Sequence, residues 1–218
     1  MFSYFGSKSK IVRYYPAPKF DTIIEPFAGS ARYSLFGDNW KKKVILTELN
    51  SKVYAIWKYL QTSSPKDILS LPSVKLQQDL RELRFPCAAA RDLVFACCSR
   101  GSPTFGNKTG KFNSWWKDRI RISKEIWKIK HWDIRCDSYE TLDNIEATWF
   151  VDPPCQKLGY RYPKHDINYA SLLAWCKSRK GQTIVAENED SNWLPNPTIV
   201  KMMRGVKHSK QEIMQVFE

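Results

Sequence analysis

Long apolar runs are absent from this 218-residue chain. None approaches the roughly 18 successive apolar residues that a membrane-crossing helix requires. The opening residues Met1 to Lys8, MFSYFGSK, also lack the apolar centre of a secretion signal. A cytoplasmic protein with no membrane partner is therefore expected. No two cysteines form a C-x-x-C pair, and histidines 131, 165 and 208 do not fall at zinc-finger spacing, so no metal is expected. In a reducing compartment the six cysteines stay free thiols. Acidic side chains are scarce against basic ones, 22 to 35, which leaves a formal charge of +13. That imbalance points to a polyanionic partner, of which nucleic acid is the simplest. With no internal repeat or low-complexity tract, one principal domain acting as a monomer is expected.

What is there is a recurring pattern of short apolar runs: Thr22–Glu25, Val44–Thr47, Trp132–Arg135, Trp149–Val151 and Thr183–Ala186. Helical patterning lies between them, near Ala31–Phe36, Lys52–Leu60, Tyr139–Leu142 and Tyr169–Lys177. Continuous apolar strands alternating with helices predict an α/β fold with a mostly parallel, Rossmann-like sheet covered on both faces. Several strands end in an acid, namely Glu25, Glu48, Asp137, Asp152 and Glu187. Such carboxyl ends are where α/β sheets bind ligands. Residues 62–130 show no convincing strand and read as a helical subdomain inserted into a core of residues 1–61 and 131–218.

The second half of the insert is basic and aromatic, with Arg100, Lys108, Lys111, Lys117 and Arg119 beside Trp115, Trp116 and Trp127. Cations suit phosphates and flat rings suit bases, so this stretch is a candidate DNA-binding surface. Some of the tryptophans are expected in the core, because Ile122, Ile126 and Ile129 recur at helical spacing.

Glu25-Pro26-Phe27-Ala28-Gly29 follows the first strand, so Gly29 sits where the backbone turns tightly against a ligand. Glu48 ends the second strand, the place from which a carboxylate accepts both hydroxyls of a ribose. Asp137 ends the third. Together with Phe5-Gly6-Ser7-Lys8 and Asp152-Pro153-Pro154, this order resembles the S-adenosylmethionine-dependent DNA methyltransferases of the adenine methylase class over nearly the whole chain. The resemblance implies a class I methyltransferase sheet and an inserted recognition region. It also implies S-adenosylmethionine bound by Phe5, Gly6, Lys8, Glu25, Pro26, Phe27, Gly29, Glu48 and Asp137. Ala31 stands where that family usually has a second glycine.

One residue departs from the adenine methylases, which carry an aromatic after the two prolines where this chain has Cys155. Pro154-Cys155-Gln156, with Glu187-Asn188 after the next strand, resembles the cytosine carbon-5 methyltransferases instead. There a thiolate adds to carbon 6 of a flipped cytosine and makes carbon 5 nucleophilic, while a carboxyl group stabilises charge developing in the ring. The favoured expectation is carbon-5 methylation of cytosine in DNA, with Cys155 as nucleophile, in positive surroundings that favour thiolate. Glu187 would act at the ring, Asp152, Pro153, Pro154 and Asn188 would complete the catalytic set, and Arg161 would lie near the base. Adenine-N6 methylation with a tolerated cysteine is the alternative, followed by a DNA-binding protein with an inactive site.

Overall fold

A computed structural model describes residues 1–99, 102–110, 114–204 and 209–218, with backbone only at 201–204 and 209–210. Its centre is one seven-stranded sheet: β1 Thr22–Glu25, β2 Lys43–Thr47, β3 Asp133–Arg135, β4 Ala147–Val151, β5 Gly181–Asn188, β6 Thr198–Arg204 and β7 Ser209–Phe217. The strand order is β3-β2-β1-β4-β5-β7-β6. The first five strands are parallel, β7 runs antiparallel to β5, and β6 antiparallel to β7. The mostly parallel, Rossmann-like α/β sheet expected from the sequence is present.

Why the parallel strands read as unbroken apolar runs follows from their burial. Alternate side chains point to opposite faces, and both faces are covered. Ile23, Val44, Leu46, Phe150 and Ile184 enter one apolar cluster. Their neighbours Ile24, Ile45, Trp149, Val151 and Val185 enter a second on the other side. Helix α1, Ser51–Thr62, buries Val53, Ile56, Trp57 and Leu60 at one-face spacing and is capped by the Asn50 side chain, which accepts from the Lys52 amide at 3.1 Å.

Within residues 62–130 come α2 Pro65–Leu69, α3 Ala88–Cys98 and α4 Trp115–Glu125. Leu93, Trp115 and Ile122 share the cluster of Ile23 and Trp57, so this segment packs into the core that covers one face of the sheet. Helix α5, Tyr169–Lys177, lies on the other face through Leu172 and Cys176. No helix of the described residues is long and apolar enough to cross a membrane.

Two expected helices are not helices. Residues 31–36 form successive turns, with Ala31 in the left-handed region at φ 42°, and Tyr139–Thr141 is a single 3-10 turn. The hairpin of β6 and β7 was not foreseen.

Candidate functional site

The strand order reverses between β1 and β4: from β1 the chain adds β2 and β3 on one side, from β4 it adds β5 on the other. Connections leave such a switch point in opposite directions and open a crevice at the carboxyl ends of the strands. A cavity of about 460 Å³ lies there, within the usual range for small-molecule sites. Glu25 ends β1 on one side of it and Asp152 follows β4 on the other.

The turn after β1 is held from two directions. The Gly29 amide donates to Glu48 Oε2 at 3.0 Å, and the Gly29 carbonyl accepts from the Trp57 indole at 2.9 Å. Gly29 has φ 45°, a conformation that favours a residue without Cβ. Glu48 Oε1 accepts from the Asn50 amide at 2.9 Å, so each carboxylate oxygen keeps a further acceptor position, and Glu48 lines the cavity. Burial raises the Glu48 carboxyl above its usual range, and these two amides oppose the shift. Glu25 is buried, accepts from the Ser34 amide at 2.6 Å, and is pushed up to about 8 by burial.

Of the nine residues expected to bind a cofactor, Phe5, Gly6, Lys8, Glu25, Pro26, Phe27, Gly29 and Glu48 line this one cavity. Asp137 does not; its carboxylate accepts from the Ser138 amide at 2.9 Å, and the neighbouring Tyr139 takes the place in the wall, its ring 5.3 Å from that of Phe27. The donor set fits an adenosyl group. A carboxylate with free acceptor positions suits ribose hydroxyls, and an aromatic pair suits a purine. Arg32, missed from sequence, also lines the cavity and donates to Phe2 O at 2.6 Å and Ser7 Oγ at 3.2 Å. Tyr162 closes the opposite wall against the N-terminal loop. Its hydroxyl donates to Phe5 O at 3.3 Å, and a Cβ on Gly6 would stand 2.3 Å from that hydroxyl.

Lys8 is not free to meet a ligand carboxylate. It is buried and pairs with Asp152 at 3.0 Å and with Glu212 at 2.8 Å. Glu212, from β7, also accepts from Tyr15 Oη at 2.7 Å. Neither Glu212 nor Tyr15 was foreseen. Burial pushes the Asp152 carboxyl up to about 7, against the opposing pull of Lys8.

Three residues past Asp152 the environment changes. Cys155 is not in the cavity wall, and Glu187 is an electrostatic neighbour of its thiol. Burial pushes the thiol far above its usual range; Lys8 opposes this, while Glu187 and Asp152 add to it. A positive neighbour of the kind expected is present in Lys8, but burial outweighs it, and two carboxylates add to the burial, so thiolate is disfavoured. Glu187 is 1% exposed and also outside the cavity wall. It accepts from the Trp193 indole at 2.9 Å, the Gln156 amide at 3.2 Å and the Asn188 amide at 2.8 Å. Pro154 lines the cavity, and its carbonyl accepts from Tyr169 Oη at 2.6 Å, whereas Pro153 is buried beside it.

The expected DNA-contacting residues divide. Arg100 and Lys111 lie outside the described residues. Lys108, Lys117 and Arg161 are exposed, Lys117 with its ammonium 4.9 Å from the Trp116 ring and Arg161 5.8 Å from that of Tyr160. Arg119 instead turns inward and donates to Leu71 O at 2.8 Å. Trp115 is core, while Trp116 and Trp127 are 59% and 55% exposed.

No family model matches the chain, and no curated protein sequence matches it. Among solved structures, the rRNA methyltransferase aviRa of Streptomyces viridochromogenes aligns over 94% of this chain and 80% of its own, at 11% identity and a TM-score of 0.40. The yhhF protein of Escherichia coli, proposed to be a methyltransferase, aligns over 89% and 75% at 8% identity and a TM-score of 0.38. A conserved hypothetical protein of Streptococcus pyogenes gives 90%, 86%, 14% and 0.38. Likeness at this level leaves the site to be read from its own residues.

Proposed function

We propose that this chain is an S-adenosylmethionine-dependent methyltransferase that modifies an exocyclic amino group of a base in DNA. One observation carries the reading: Asp152 lines the switch-point cavity together with Gly29 and Glu48, while Cys155 is not part of its wall. When bound, S-adenosylmethionine supplies a methyl group activated by its sulfonium. Glu48 is suited to hold the ribose hydroxyls, and Phe27 and Tyr139 the adenine. Ionised Asp152 accepts a hydrogen bond from the amino group, orients the nitrogen lone pair and stabilises positive charge developing there. The base must leave its stack to reach this depth. The exposed Trp116 and Lys117, with the net charge of +13, support a nucleic-acid substrate.

Carbon-5 methylation of cytosine is the second reading, favoured by the proximity of the Cys155 thiol and Glu187, the two residues that chemistry would need. A single experiment separates the two. DNA is incubated with the protein and methyl-labelled S-adenosylmethionine, then digested, and the labelled nucleoside is identified. Label on an amino nitrogen, kept within about threefold in Cys155→Ser, is the expected result. Label on cytosine carbon 5, lost in Cys155→Ser together with any adduct to 5-fluorocytosine DNA, would replace the first reading by the second.

A further inference from the structure

We propose that Glu212 is a positioning residue for Asp152: by holding one side of the buried Lys8 ammonium it keeps that cation shared, so that Asp152 remains an available acceptor toward the cavity. The inference rests on the reading of Asp152 as the acceptor of the substrate amino group.

The geometry is a buried chain of four groups from separate parts of the sequence. Tyr15 Oη donates to Glu212 Oε1 at 2.7 Å; Lys8 Nζ meets the same oxygen at 2.8 Å and Asp152 Oδ1 at 3.0 Å. Lys8, Glu212 and Tyr15 are each 5–7% exposed, so water contributes little to their partnering. Glu212 reaches the site because β7 pairs antiparallel with β5, placing Glu212 opposite Asn188 at the carboxyl end of the parallel strands. An antiparallel strand at the edge of the parallel core thus hooks the N-terminal loop beneath the end of β4.

Electrostatics give this hook its consequence. Two carboxylates share one ammonium. Asp152 faces Lys8 from the N-terminal loop, Tyr15 beyond it, Glu25 at the end of β1, Glu187 at the end of β5, Glu212 on β7, and Cys155 and Tyr162 from the loop after β4. Lys8 is the one cation among these described groups. Were Glu212 neutral, Lys8 would belong to Asp152 alone. The carboxylate would then be drawn into a closed ion pair, and the proton would leave it at lower pH. Tyr15 tempers the arrangement by donating to Glu212. Without that donation Glu212 pulls harder on Lys8 and releases Asp152 further.

The test is a carboxyl-carbon NMR titration of the full chain labelled at aspartate, with the Asp152 signal assigned by its loss in Asp152→Asn. In Glu212→Gln the Asp152 midpoint is expected to fall by about one pH unit; in Tyr15→Phe it is expected to rise. General loosening of the cluster would move both variants the same way, and that result, or an unmoved midpoint in Glu212→Gln, would overturn the proposal. If Glu212→Gln does not fold, Tyr15→Phe decides alone, and a midpoint unmoved or lowered there overturns it. The titration does not depend on turnover. Opposite shifts in a protein that transfers no methyl group would remove the proposed reaction and keep the linkage, whereas unmoved midpoints in an active enzyme would do the reverse.

Discussion

Asp152 follows β4 and Glu187 lies at the end of the adjacent parallel strand β5, yet their surroundings are opposite. Asp152 lines the cavity and its bonded neighbour is a shared cation. Glu187 is closed off and collects three N–H donors, from Trp193, Gln156 and Asn188. One carboxylate is thus left with reactive capacity, while the other fastens the loop after β4 to the end of β5. The difference arises from what the following loops donate. A strand-end acid becomes a candidate reagent where no backbone amide has claimed it.

The sharpest way to break this comparison is to neutralise each acid. Under the proposed reaction Asp152→Asn is expected to lower methyl transfer by about 10²–10³-fold while leaving S-adenosylmethionine binding by calorimetry intact, because the proposed ribose and adenine partners are other residues. Its pH signature has a definite sign. Burial raises the Asp152 carboxyl from 3.8 to about 7 in the folded protein, so the native state binds this proton more tightly than the unfolded chain. The contribution to stability is full below the unfolded value and is lost as pH rises toward 7. Urea unfolding across that window should show a steeper decline for the native chain than for Asp152→Asn. The proposed reaction uses the carboxylate, so kcat should climb as pH rises toward and past 7.

Glu187→Ala should behave in the opposite manner. It orphans three donors and is expected to destabilise by about 3 kcal/mol in urea unfolding; a variant that kept full stability but lost turnover would erase the distinction. A smaller effect sharpens the cofactor side of the cavity. Ala31 holds a left-handed conformation that glycine adopts without strain, so Ala31→Gly should stabilise by about 1 kcal/mol, measured the same way.

The parallel strands were legible because both sheet faces are covered, which leaves continuous apolar runs such as Ala147–Val151. The β7 strand was not. It buries Glu212 and Gln215 as well as Ile213, so neither period-two alternation nor an apolar run marks it. The expected helix after Gly29 failed for a local reason: the left-handed Ala31 breaks the turn before a helix can propagate. In the site, the Gly29 turn and Glu48 could be read because strand ends and tight turns have local signatures. The pairing of Lys8 with Glu212, and the inward turn of Arg119, depend on contacts between distant segments that no local pattern encodes. For Cys155 the sequence named the residue type, but the burial that disfavours its thiolate, with Lys8 opposing and Glu187 adding to it, exists only in three dimensions.

The indole of Trp57 is completely buried, and its N–H is bonded to the carbonyl of Gly29. Any molecule that settles against that glycine therefore pulls on a chromophore the protein already carries. The difference in ultraviolet emission between the native chain and Trp57→Phe becomes an intrinsic optical gauge of occupancy, readable without label, substrate or turnover.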